Sequence, residues 1–216
     1  MGGWCWLSGA TAIRQRPSAW SQLWIPDAMA TVPWTLYTAW LPSIESQDWL
    51  KVLQGQLAWE QPEVLVYGKR HPTPRLAAFL ADEGVSYRYS GVLHRGSGWP
   101  VWFLPLLEQV NQQCSTRFNG CLFNCYRNGD DRMGWHADDE PEIDASQPIA
   151  SLSLGATRTF QLKQRRGDER HSLELADGDL LVMEPPCQEE WVHALPVRKR
   201  VSTVRVNLTF RVFQAA

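Results

Sequence analysis

The amino-acid sequence predicts a mainly β protein of the α+β class, a double-sheet jelly roll or barrel whose sheet is supported by two helices on the N-terminal side. Three observations lead there. Beyond about residue 115 the chain is a succession of short strand-like segments. The stretches between them, "NGDD", "RRGDER" and "ADGD", have the chemistry of hairpin loops. Helical spacing of apolar residues is confined to two earlier segments. With 216 residues, 44% of them hydrophobic and 20% charged, the chain can bury one substantial core. Composition changes near Met29, so residues 1–28 are expected to be a poorly ordered extension and 29–216 a single domain.

The first helix is expected over 43–57, where Trp49, Leu50, Leu53 and Leu57 recur at helical spacing and Ser46 can cap the N-terminus. A second should end the stretch 99–114, "WPVWFLPLLEQVNQQC". Strands are expected at 63–68, 86–91, 120–127, 149–155, 159–164, 171–176, 179–185 and 202–213, each rich in β-branched or aromatic residues or alternating in polarity. Few helices after the second one, and many short strands, favour closure into two packed sheets.

The net charge of −2 excludes chain-wide attraction for phosphate, so nucleic-acid binding would depend on local basic segments such as 68–75, 163–166 and 198–200. The five cysteines, Cys5, Cys114, Cys121, Cys125 and Cys187, form no C-x-x-C pair, which argues against a disulfide framework or a structural zinc site and fits reduced thiols in the cytoplasm. No apolar run reaches the length of about 18 residues needed to span a membrane. The N-terminus has no basic region ahead of its short apolar part, unlike a secretory signal.

The chemistry concentrates at "GWHADDE", 134–140. On a strand, residues two apart share a face, so His136 and Asp138 can address one point, and His193 in "EEWVHALP" can supply a third ligand. Two histidines and a carboxylate on one side of a metal are the ligand set of non-heme Fe(II) oxygenases. H-x-D alone is weak evidence and fits a polar turn equally well. In "VRVNLTFRVF", however, Arg205, Asn207, Thr209 and Arg211 line one face while Val204, Val206, Leu208, Phe210 and Val212 line the other. An exposed edge strand also alternates, yet two arginines beside Asn and Thr make a donor row suited to a dicarboxylate. Asn124 and Tyr126 share a face of "FNCYR" and can donate to the same ligand.

Taken together, "NCYRNGDDRMGWHADDE", "PIASLSLGATRTFQL", "WVHALPV" and "RVNLTFR" resemble the AlkB family of Fe(II)- and 2-oxoglutarate-dependent nucleic-acid dealkylases, in the family's order and over residues 63 to 213. "VYGKRHPTPR" followed by "SYRYSG" looks most like the branch that repairs duplex DNA. The resemblance implies a double-stranded β-helix (jelly roll) core, with His136, Asp138 and His193 as catalytic iron ligands. It implies that Asn124, Tyr126, Arg205, Asn207, Thr209 and Arg211 hold 2-oxoglutarate, Arg205 at the distal carboxylate and Arg211 nearer the end that chelates iron. Segment 63–91 becomes the nucleotide-recognition region. Tyr67, Gly68 and Lys69 form a DNA-contacting loop, with Tyr67 where relatives insert an apolar aromatic into the base stack. Lys69, Arg70 and Arg75 meet phosphates, and Tyr87, Arg88 and Tyr89 wall the base pocket, with Tyr89 stacking on the target base.

The implied reaction oxidises the methyl group of 1-methyladenine or 3-methylcytosine at the expense of 2-oxoglutarate and O2, and the methyl carbon leaves as formaldehyde. Such bases are cationic, and Asp139, of opposite strand parity to the metal ligands, is expected to face them, with Glu140 either beside it or in solvent. The implied partner is alkylated DNA, double- or single-stranded, or RNA, bound by a monomer away from membranes. Two other readings stay open on the residues alone: a 2-oxoglutarate oxygenase acting on RNA, protein or a small metabolite, and a non-catalytic nucleic-acid-binding jelly roll with a structural metal.

Overall fold

The computed structural model describes residues 32–66, 68–89 and 92–214. The expectation for residues 1–28 lies outside them, as does Tyr67. In chain order the elements are β1 (Trp34–Tyr37), α1 (Ser43–Gln56), β2 (Glu63–Val66), β3 (Lys69–Pro72), β4 (Leu76–Ala81), β5 (Ser86–Tyr89) and β6 (Val92–Arg95), then a 3-10 turn (Val101–Phe103) leading into α2 (Leu104–Cys114). There follow β7 (Gly120–Tyr126), β8 (Met133–His136), β9 (Ile149–Gly155), β10 (Arg158–Gln164), β11 (Arg170–Leu175), β12 (Leu180–Met183), the single-turn α3 (Pro186–Glu190), β13 (Trp191–Leu195) and β14 (Arg205–Arg211).

The strands form a six-stranded sheet, order β1-β12-β9-β14-β7-β4, and a four-stranded sheet, order β11-β10-β13-β8, with hairpins β2-β3 and β5-β6 standing apart. Both large sheets are antiparallel throughout. This is the jelly roll that the strand-rich second half predicts.

Alternation along β14 explains the layering. Val206, Leu208 and Phe210 join Phe123, Cys125 and Leu152 on the outer face of the larger sheet, where Leu53 of α1 and Leu106, Leu107 and Val110 of α2 cover them. Burying each such side chain stabilises the fold by about 1.5–3 kcal/mol. The opposite face meets the smaller sheet, with Ile149, Leu181 and Met183 against Phe160, Leu162, Trp191 and Leu195. β14 is therefore a central strand between β9 and β7, buried on both faces, and the edge-strand alternative fails.

Two local expectations need correction. Helix α1 starts at Ser43 after Pro42, so Ser46 is not its cap. Ser46 is fully buried and donates to Asp177 Oδ2 (2.6 Å), tying the helix to the loop before β12. The last strand begins at Arg205 rather than at 202, because only from there does it have neighbours on both sides. Gly155, at the end of β9, has φ +86°, a conformation that costs glycine little and lets the chain turn directly into β10.

Candidate active site

Three strands bring the polar residues together by register. Asn207 lies opposite Asn124 of β7 and Ser153 of β9, Thr209 lies opposite Ser151, and Arg205 lies opposite Tyr126. All of these but Ser153 line one cavity with His136, Asp138, His193 and Arg211. The face of β14 that alternates polar is thus the inner wall of a pocket.

From the smaller sheet, β8 and β13 place His136 and His193 directly opposite one another. Their rings lie 4.3 Å apart, and Phe160 stacks on His193 at 5.1 Å from the neighbouring strand. Strand β8 ends at His136, so Asp138 reaches the pair from the loop beyond it, and His136 Nε2 lies 3.9 Å from Asp138 Oδ1. That loop position is fixed by Gln188 of α3, whose Oε1 accepts the backbone N–H of Asp138 (3.0 Å). One ligand atom from each of His136, Asp138 and His193 lies within 4.8 Å of the others, the spacing of a metal ligand set. His136 Nδ1 contacts the Gly134 carbonyl (2.8 Å), which suits a tautomer that leaves Nε2 free for a metal.

Electrostatics prepare these groups. Burial alone would raise the Asp138 carboxyl, but Arg211, 2.8 Å from Oδ1, together with the histidines holds it well below the usual carboxylate range. Burial, with His136 beside it, pushes His193 down to about 3. An ionised carboxylate and a neutral imidazole are the forms that bind a metal.

On the co-substrate side, Arg205 Nη2 donates to Ser153 Oγ (2.8 Å) and Asn207 Oδ1 (2.7 Å), and Asn207 Nδ2 donates to Thr209 Oγ1 (3.0 Å). Arg205 and Arg158 lie 5.5 and 5.8 Å from the Tyr126 ring. Burial pulls Arg205 down to about 10, so it is still a cation at neutral pH. His193 Nδ1, Arg205 Nε, and Arg211 Nε and Nη1 are buried without hydrogen-bond partners. A pocket whose cationic walls keep spare donors beside a His-Asp-His set fits a metal together with an anionic, carboxylate-bearing ligand.

The expected substrate residues divide. Gly68 and Lys69 are exposed at the tip of the β2-β3 hairpin, with Gly68 at φ +77°, and Arg88 is exposed on β5. Of Tyr89 only the backbone is described. Arg75 does not face outward toward phosphate. It is 5% exposed, and its Nε donates to Asn124 Oδ1 (2.9 Å), so it braces the cavity wall. Tyr87 is fully buried, and its hydroxyl donates to Glu140 Oε1 (3.0 Å). Asp139 is exposed and ion-paired with Arg165, whereas Glu140 turns inward, its carboxyl raised by burial and by Asp138. Strand parity pointed Asp139 inward and left Glu140 open, and it failed for Asp139 because alternation stops at His136, where the strand ends.

Ser151, Ser153 and Gln188 belong to the site although no sequence argument singled them out. Ser151 and Ser153 alternate with leucines in "IASLSLG", a signal that marks a polar inner face. Gln188, fifty positions from Asp138, has no such signature.

Comparison with known proteins agrees with this geometry. Residues 33–211 match the model of the 2OG-Fe(II) oxygenase superfamily. The chain is 42% identical over 179 residues to DNA oxidative demethylase ALKBH2 of Mus musculus, covering 77% of this chain and 72% of that one. It is 36% identical over 182 residues to alpha-ketoglutarate-dependent dioxygenase alkB homolog 3 of the same species, covering 78% of this chain and 62% of that one. Among solved structures, OsALKBH1 superposes with a TM-score of 0.58 at 19% identity, covering 83% of this chain and 98% of that one, which supports the fold. The chain belongs to the AlkB family within the 2OG-Fe(II) oxygenase superfamily, whose enzymes use Fe(II), 2-oxoglutarate and O2.

Proposed function

We propose that this protein is an oxidative demethylase that removes methyl groups from 1-methyladenine and 3-methylcytosine in DNA, a direct-reversal repair enzyme. The observation that carries the reading is the 42% identity over 179 residues to a relative named DNA oxidative demethylase. The inward carboxylate of Glu140 gives it a chemical basis, because a buried acid beside the metal ligands favours a cationic base over its neutral counterpart.

His136, Asp138 and His193 would hold Fe(II), His193 as a neutral imidazole and Asp138 as a carboxylate kept ionised by Arg211. When bound, the iron with 2-oxoglutarate and O2 supplies the oxidant for an N-methyl group, which then leaves as formaldehyde. Arg205, held by Ser153 and Asn207, takes the distal carboxylate of 2-oxoglutarate, and Arg211, Asn124, Tyr126 and Thr209 complete its cradle. Tyr87 aims Glu140 by donating a hydrogen bond to its carboxylate, and Glu140 is the acid set to meet the cationic base. Residues 29–216 act as one catalytic domain and as a monomer, with 63–91 contacting the nucleic acid. Lys69, Arg70 and Arg88, all exposed, are the cations there that can meet phosphate. A methylated base cannot pair normally, so extruding it from a duplex costs less than extruding a normal base. Among the described residues no helix is long and apolar enough to cross a membrane.

The test is to incubate the protein with Fe(II), 2-oxoglutarate and matched single- and double-stranded oligonucleotides carrying 1-methyladenine or 3-methylcytosine. Loss of the methyl mass is expected with the wild type and not with His136→Ala. Succinate formation without methyl loss from any of the DNA substrates would refute the assignment.

A further inference from the structure

The outer face of the four-stranded sheet carries chemistry that the pocket does not use. On β10, Phe160 and Leu162 point inward, so Thr159, Gln161 and Lys163 point out. Opposite them on β11 stand Glu174, Ser172 and Arg170, all exposed. From the edge strand β8, Trp135 reaches across β13 to Lys163, whose Nζ lies 4.5 Å from the indole centre. Trp135 is 43% exposed, and among the described residues it is the one exposed tryptophan. Arg198 joins this face by donating from Nε to Thr159 Oγ1 (3.0 Å). Lys163 is thus the cation on the indole, Arg170 stands opposite it on β11 and Arg198 lies at the far end of β10, while Glu174, the one acid among the outward strand residues named, already accepts the Thr159 hydroxyl.

We propose that this face is a stacking platform for single-stranded nucleic acid. Trp135 stacks on an unpaired base of the strand whose neighbouring nucleotide occupies the metal pocket, and Lys163 and Arg170 take the phosphates that flank it. The inference rests on the nucleic-acid reading above and deepens it. Lys163 is attracted to one face of the indole and holds the ring in place, which leaves the other face free to stack. The charge balance favours a polyanion. Trp135 and His136 point to opposite faces of β8, but β8 is the sheet edge, so one stretch of strand that passes round that edge can place one base on the indole and another at the metal. A duplex keeps its bases stacked on one another, so an indole on a flat sheet face selects single strands.

The test uses the full chain and a fluorescein-labelled, unmodified single strand of about 15 nucleotides, within the usual site-size range, followed by anisotropy. Trp135→Ala should weaken binding about tenfold, Trp135→Phe should retain most of it, and the double variant Lys163→Glu/Arg170→Glu should weaken it and flatten its salt dependence. Thermal unfolding of each variant checks folding, and the phenylalanine and charge variants keep the test decisive should Trp135→Ala unfold. Unchanged single-strand binding by a folded Trp135→Ala, or an equal loss on the matching duplex, would overturn the platform. Methyl removal by the wild type is measured in parallel. Its absence refutes the demethylase reading, whereas its presence with an unchanged KM for the single strand in Trp135→Ala refutes the platform alone.

Discussion

Gln188 makes no contact of its own with the His136–His193 pair, yet the geometry makes it a positioning residue for the metal site. Its amide oxygen is the acceptor for the Asp138 backbone N–H, and its amide nitrogen reaches Met183 Sδ (3.5 Å). Replacing it with leucine keeps most of the volume and removes both bonds. A buried N–H without an acceptor costs about 1–3 kcal/mol, so urea unfolding in the presence of a chelator should lose that much stability. Asp138 sits in a loop rather than in a ladder, so its carboxylate is held beside the histidines by Arg211 and its backbone by Gln188. Losing a supporting partner of this kind typically weakens metal binding about 10- to 100-fold. Co(II) titration followed by visible absorption reads that loss directly. Stability within about 0.5 kcal/mol of wild type, combined with unchanged Co(II) affinity, would refute the view that Gln188 positions Asp138.

His193 takes up a proton near pH 6.5 when unfolded but only near about 3 when folded, so its contribution is complete above pH 6.5 and is lost as pH falls. Between pH 7 and pH 5 this amounts to about 2 kcal/mol in urea unfolding, and His193→Asn should lack that part of the pH dependence. Arg205→Lys, which loses the bidentate fork, should raise KM for 2-oxoglutarate about tenfold or more with a smaller effect on kcat, and an unchanged KM would remove Arg205 from the cradle. In Gly129→Ala the new Cβ would collide with the Arg198 carbonyl, where the backbones of residues 129 and 198–201 are hydrogen-bonded, so unfolding should show a loss of about 1–3 kcal/mol. Burial pushes the thiols of Cys114 and Cys187 up to about 12, so neither should react with iodoacetamide at pH 8 until the protein unfolds.

The pocket wall was legible in the sequence because a strand has a period of two. The alternation of Arg205, Asn207, Thr209 and Arg211 with apolar residues predicts one polar and one apolar face whatever the strand pairs with. The same rule misled at Asp139, three residues beyond the end of β8, which turned to Arg165 while Glu140 turned inward. Arg75 misled for a different reason. Its neighbours in "GKRHPTPR" make it look like part of a basic surface loop, whereas the start of β4 carries it into the wall beside Asn124. Strands such as β1, β4 and β13 escaped the sequence reading because what stabilises them is pairing with distant partners rather than local preference.

By itself, then, the sequence determined the strand-rich class, the two helices, the His-Asp-His ligand types and the polar face of the last strand. These depend on residue type and on spacing within one element, which the chain carries locally. Only the tertiary structure decided that His193 stands opposite His136, that Gln188 holds Asp138, and that Glu140 rather than Asp139 turns inward, onto Tyr87. Those facts depend on strand register and on contacts between residues about fifty positions apart, and no local preference encodes which of the many possible partners a side chain will meet.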